Sequence, residues 1–252
     1  MKKTALLAAA AAMFAATPAF AGGHVGVGYT NTDSGNSDAD SWQVEGAYGG
    51  ASGALGYQLD AGIGNSDAGV SDVDHHTIAG HLFWHTDNWN LGGAIATSSF
   101  EDNTFSADEL VYGVEGTFNV APNAVLRGSY MVGESEFLTI DVDTWNADLG
   151  LDYYFSDNFR VGGAIGSGNL DFGGGADFDT STYGIDAEWQ FASLPLSLRA
   201  GWSTFDAGNT FGDYDSLTVG VRWNFGGTLR DRDAATPFEA QTGLYQRVYG
   251  VQ

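Results

Sequence analysis

Two sets of acidic residues have the types and spacing to do chemistry. The first is an Asp-x-Asp pair that recurs along the chain: Asp38/Asp40, Asp72/Asp74, Asp141/Asp143, Asp177/Asp179 and Asp213/Asp215. Carboxylates two residues apart on an extended backbone point the same way, and hard oxygen ligands of this kind suit Ca²⁺ or Mg²⁺. A structural divalent cation is therefore the one cofactor these residues would take; the plainer alternative is an acidic surface that stays solvated. The second set is spread through stretches that alternate apolar and polar: Glu45, Asp60, Glu115, Asp148, Asp152, Asp186 and Glu188, with Arg127, Arg160, Arg199 and Arg222. His81 and His85 share their phase. Hairpin arithmetic sets Glu188 opposite Arg199 across the 192–195 turn, and Glu115 opposite or diagonal to Arg127 across the 120–123 turn. Lining a pore, such charges select ions or polar solutes; packed against one another, they form a structural ion-pair ladder.

Groupings that would support catalysis are weak. Asp72-Val73-Asp74-His75-His76 combines acids with histidines, yet no partner serine or second acid–His pair stands at a readable spacing, so an enzyme is not expected. His81 and His85, four apart on a strand, sit about 13 Å from each other, too far to share an ion. Gly173-Gly174-Gly175-Ala176-Asp177 is one imperfect copy of a calcium-binding glycine repeat. With 32 Asp+Glu against 9 Lys+Arg, nucleic-acid binding is excluded. Aromatic residues at 13% argue for a folded chain despite this acidity, and the absence of cysteine removes disulfides and thiolate metal sites.

The elements that position these residues follow from rhythm. Lys2 and Lys3, the apolar stretch Leu6 to Ala16 and Ala19-Phe20-Ala21 make residues 1–21 a secretory signal peptide. No later apolar run approaches the roughly 18 residues of a spanning helix. Instead about twelve strands are expected, near 24–30, 41–48, 54–63, 75–85, 89–97, 109–119, 124–132, 144–155, 159–166, 180–191, 196–204 and 214–225. Their connections alternate between short turns and long acidic segments. This sorting fits an all-β, antiparallel transmembrane barrel with short periplasmic turns and long extracellular loops. Aromatics cluster beside both kinds of connection, as two membrane interfaces require. Phase places the Asp-x-Asp pairs, and Asp108 before Leu110, on the outer wall at headgroup level. Many small lumen positions, such as Gly56, Gly92, Gly113, Gly162 and Gly166, are expected to leave room for water.

Residues 22–225 resemble the small porin-like outer-membrane β-barrel proteins of Gram-negative bacteria. The segment Thr218-Val219-Gly220-Val221-Arg222-Trp223-Asn224-Phe225 is similar to that class's last-strand assembly signal, carried by Gly220, Trp223 and Phe225. The resemblance implies an outer-membrane location, contact with outer-membrane lipids, recognition by the barrel-assembly machinery and passage of small solutes. In that family the final aromatic usually ends the chain, whereas here residues 226–252 follow as a periplasmic extension. Within it, Leu229 to Asp233 reads as a solvated charge run, and Thr236-Pro237-Phe238-Glu239 as a capping box opening a helix, with Phe238, Tyr245, Val248 and Tyr249 on one face. The segment is then a plug, a partner-binding element or a frayed end. The expected function is passive, cation-preferring diffusion of small hydrophilic solutes. The alternative is a closed structural barrel whose acidic crown binds divalent cations, lipid headgroups or a surface partner.

Overall fold

The computed structural model describes residues 21–239, apart from 36–37, 68, 70–71, 103–105, 138–139, 174–175 and 209–211. Twelve antiparallel strands close into one barrel. They are β1 (Ala21–Asp33), β2 (Asp38–Ser52), β3 (Leu55–Asp67), β4 (Asp72–His85), β5 (Trp89–Glu101) and β6 (Ser106–Ala121). The second half comprises β7 (Ala124–Phe137), β8 (Ile140–Ser156), β9 (Phe159–Asp171), β10 (Asp177–Gln190), β11 (Leu196–Asp206) and β12 (Asp213–Phe225). Among the described residues a helix, α1 (Leu229–Ala235), follows. β1 pairs with β12 from Gly23 opposite Phe225 to Asp33 opposite Asp215, so no strand edge meets lipid.

Alternation along each strand decides what faces where. Val25, Val27 and Tyr29 of β1, or Leu217, Val219, Val221 and Trp223 of β12, are exposed, while Thr30, Thr32, Thr218 and Arg222 between them are buried. An exterior of exposed Leu, Ile and Val is bounded by two aromatic belts. Trp84, Trp89, Phe118, Phe155, Trp189 and Trp223 lie beside the short turns, and Trp42, Tyr112, Tyr130, Trp145, Tyr183 and Trp202 lie beside the opposite rim. No helix among the described residues is long and apolar enough to cross a membrane; the strands cross it.

Two features depart from expectation. The ladder climbs into the acidic segments: β1 runs to Asp33 and β2 resumes at Asp38, where a long loop was anticipated. In four hairpins the N–H of Gly35, Gly69, Gly173 or Gly208 donates to the Asp two residues earlier, which tightens the turn and lets pairing continue. Second, small lumen residues do not all hold space for water. A Cβ at Gly56 or Gly92 would strike Phe83, at Gly64 His75, at Gly113 Met131, and at Gly166 Asp148. Long neighbours lie flat over these glycines and thicken the wall. Ala79, Ala94, Ala96, Val111 and Met131 form an apolar patch inside the barrel.

Longer pairing sets like charges face to face on the outer rim. Asp33 opposes both Asp38 and Asp215, Asp67 opposes Asp40 and Asp72, and Asp74 opposes Glu101. Asp143 opposes Glu134 and Asp171, and Asp171 opposes Asp177. Directly opposed like charges cost a few tenths to about 1 kcal/mol each. Asp67→Asn, relieving two such contacts, is expected to raise the melting temperature at low salt. The gain should vanish at about 1 M salt, where screening acts within roughly 3 Å.

Candidate functional site

The lumen narrows near its periplasmic end, where the chain beyond β12 turns inward. Gly226 and Gly227 make the turn at φ 98° and 121°, a region closed to most side chains. Thr228 then caps α1: its side chain accepts from Asp231 N–H, and the Asp231 carboxylate accepts from Thr228 N–H in return. Thr236 is the C-cap of this helix, so the expected start at Thr236–Glu239 is corrected. The predicted face through Tyr245, Val248 and Tyr249 lies outside the described residues. α1 is seated on glycines of the wall: a Cβ at Gly22 would meet Ala235 Cβ at 2.9 Å, and one at Gly49 would strike the Ala235 carbonyl.

What draws a charged segment inward is Glu188, fully buried. Its carboxylate accepts from Arg232 Nη1 at 2.7 Å, from Arg232 Nη2 and Arg222 Nη1 at 3.0 Å each, and from Ser197 Oγ at 2.5 Å. Arg232 also donates to Asn224 Oδ1 at 2.9 Å and to Asp233. The run read as solvated therefore contains the most enclosed arginine of the described chain, 2% exposed. A buried pair of this kind is tolerable because nearly every polar hydrogen finds an acceptor.

Two further clusters complete the narrowing. Arg160 pairs with Asp186 at 2.6 Å, and Asp152 and Asp233 each lie 3.8 Å from it; Tyr154 donates to Asp233 at 2.7 Å. Arg127 pairs with Asp152 at 2.7 Å and with Glu239 of the tail. On the facing wall His81 sits between Asp60, 2.7 Å, and Glu115, 2.6 Å, and its ring stacks on Phe238 at 5.7 Å. The Glu239 side chain is 60% exposed yet crowded by the surrounding wall, which pushes its carboxyl up; the Arg127, Arg160 and Arg199 guanidiniums outweigh that push and hold it at about 2.

The predicted site residues thus separate into groups. Glu188 does stand opposite Arg199 in register, but its ion partners are Arg222 and Arg232; Arg199 and Arg222 both approach Glu45, at 4.0 and 2.7 Å. Glu115 is opposite Ser129 and so diagonal to Arg127, as the hairpin arithmetic placed it, but the ion partner its carboxylate takes is His81. Asp148 bonds Asn146 and Thr182 higher in the lumen. His85 bonds Asn90. The Asp72–His76 grouping splits: Asp72, Asp74 and His76 face outward, and His75 faces inward against Phe100. Gly220, Trp223 and Phe225 lie on β12, with Trp223 exposed to the outside.

Asp38, Asp40, Asp72, Asp74, Asp141, Asp143, Asp177, Asp179, Asp213 and Asp215 all take the outward phase, as expected. Asn31, Asn65 and Asn169 donate across the hairpin to Asp40, Asp74 and Asp179. The strands bring these carboxylates together in pairs; among the described residues no group of three or more could hold a metal ion. Tail residues Arg232, Asp233, Phe238 and Glu239, expected as a solvated charge run and a helix start, are luminal contacts instead. Thr228-x-x-Asp231 was the available signal, a capping box eight residues ahead of Thr236.

A cavity of 740 Å³ surrounds the tail, and a second of 200 Å³ lies beside it; they share Arg127, Arg199 and Pro237 to Glu239. No protein-family model matches the chain, and no curated relative does. Among solved structures, the translocator domain of the autotransporter NalP from Neisseria meningitidis is 15% identical, covering 88% of this chain and 94% of that one at a TM-score of 0.55. The β domain of the Bordetella autotransporter BrkA is 12% identical, covering 82% and 100% at 0.55. A KdgM porin is 10% identical, covering 79% and 98% at 0.49. The fold is that of Gram-negative outer-membrane β-barrels, and the apolar exterior between its aromatic belts places this chain in that membrane.

Two outcomes are expected. Glu188→Gln leaves Arg222 and Arg232 facing each other without their shared carboxylate and costs about 3–5 kcal/mol, read from denaturant unfolding of the detergent-folded barrel. The Glu239 latch has its folded value below the ordinary one, so its contribution is present above about 4 and lost as pH falls through about 2. A fluorophore at the tail should report release only near that acid limit.

Proposed function

We propose that the protein is a narrow outer-membrane channel, non-enzymatic, for passive diffusion of small hydrophilic solutes with preference for cations. The carrying observation is the charge balance inside the barrel. Glu45, Asp60, Glu109, Glu115, Asp148, Asp152, Asp186 and Glu188, with Asp233 and Glu239 of the tail, outnumber Arg127, Arg160, Arg199, Arg222 and Arg232. A lumen with excess fixed negative charge concentrates cations and repels anions. The arginines crowd the periplasmic half, where they are engaged by carboxylates, while Asp148 and Glu109 stand above them. Residues 228–239 set the bore, and Gly220, Trp223 and Phe225 serve recognition by the assembly machinery.

In planar bilayers under a KCl gradient, the reversal potential should report preference for K⁺, with small conductance. Arg232→Ala, which frees α1 from Glu188, should enlarge the conductance several-fold. A silent barrel, or one preferring chloride, contradicts the reading.

The opposed rim carboxylates favour a second reading: a structural barrel whose crown is bridged to anionic headgroups by Ca²⁺ or Mg²⁺. Under it, millimolar Ca²⁺ raises the melting temperature more than the same ionic strength of NaCl, and Asp40→Asn with Asp67→Asn removes that excess.

A further inference from the structure

The tail ends its described course in a cradle that handles Phe238 and Glu239 as a receptor handles a ligand. Gln58 of β3 bonds the Phe238 backbone in both directions: its Nε2 donates to Phe238 O at 2.7 Å, and Phe238 N donates to its Oε1 at 3.1 Å. This is the contact a neighbouring strand would make, and it reads an amide backbone without regard to the side chain. The Phe238 ring lies parallel to His81, 9° between planes, and meets the edge of Phe83 at 5.1 Å. Arg127 takes the Glu239 carboxylate.

Each of these wall residues keeps a partner on the barrel when the tail is removed. Gln58 also bonds Asp60 at 3.0 Å, His81 is held by Asp60 and Glu115, and Arg127 is held by Asp152. The cradle is therefore built by the wall and can be vacated without orphaning a buried charge, which is what a preorganised site requires. At Arg127, Phe238 and Glu239 it borders both luminal cavities.

We propose that this cradle is a peptide-binding site, selective for a segment in which an aromatic residue is followed by an acidic one, and that residues 236–239 are its tethered occupant. One short peptide segment supplies together the N–H and C=O that Gln58 bonds, the ring that lies on His81 and the carboxylate that Arg127 takes. The inference goes beyond the channel reading and does not depend on it, because binding is measured without conductance.

The test uses full-length protein folded in detergent and a fluorescently labelled Thr-Pro-Phe-Glu amide as probe. Phe238→Ala with Glu239→Gln empties the cradle of the tail's ring and carboxylate and leaves the segment only its backbone bonds to Gln58. Fluorescence anisotropy should show the probe binding this variant about tenfold or more tightly than the unaltered chain, whose own tail competes. Arg127→Gln in the emptied background should weaken binding by about tenfold, and a Thr-Pro-Ala-Gln amide should not bind. Equal binding to emptied and unaltered barrels, or none to the emptied barrel, overturns the proposal, as does binding indifferent to the peptide's phenyl ring. Should the double variant fail to fold, Glu239→Gln alone, which leaves Arg127 on Asp152, carries the same comparison with a smaller expected gain.

Discussion

An unpaired strand edge cannot lie in hydrocarbon, and the pairing of β1 with β12 is how this chain meets that constraint. Closure makes the sidedness of every residue a matter of parity. Once Val25 and Trp223 face lipid, Thr30, Arg222 and Glu188 must enclose a lumen. Closure also determines where the tail begins. Gly226 and Gly227 stand at the periplasmic end of the seam, the first against Ala21 and Gly22 of β1 and the second against Asp231, and only residues without a side chain can make the inward turn there. The plug is thus a consequence of the seam as much as of its own sequence.

Charge is distributed along the barrel axis in two regimes. Near the periplasm, arginines and carboxylates interleave within hydrogen-bonding distance, and a buried Arg232 is accommodated by Glu188, Asp233 and Asn224 together. At the outer rim carboxylates oppose carboxylates, and every described arginine is remote in the sequence from those hairpin ends. The first regime gives rigidity in a low-dielectric enclosure. The second leaves a field that attracts cations to the mouth. Both fit the proposed pathway for positively charged solutes.

Much of this was legible because period-2 alternation is local. Trp145, Leu149, Leu151 and Tyr153 announce their face within one strand, and the outward phase of Asp143 follows from Trp145 two residues on. Long-range partners were less readable. Glu115 looked to Arg127 across a short turn, yet His81, two strands away, was the stronger partner, because the lumen brings distant side chains together. Glycines misled for a related reason: whether Gly113 makes room for water or for Met131 depends on a neighbouring strand's rotamer. The hairpin ends carried an unread signal, the Asn-x-Asp-x-Gly of Asn31 to Gly35 and Asn65 to Gly69, which extends the ladder where composition suggested loops.

The central claim, that residues 228–239 fold back into the lumen, is tested most directly by proximity. The natural chain has no cysteine, so Gly22→Cys with Ala235→Cys introduces a single reporting pair. In folded protein a mild oxidant should link them, giving a species on non-reducing electrophoresis that a Gly22→Cys, Leu217→Cys control does not form. Failure to link, in a barrel shown to be folded by its resistance to denaturation before heating, would place the tail outside and contradict the account.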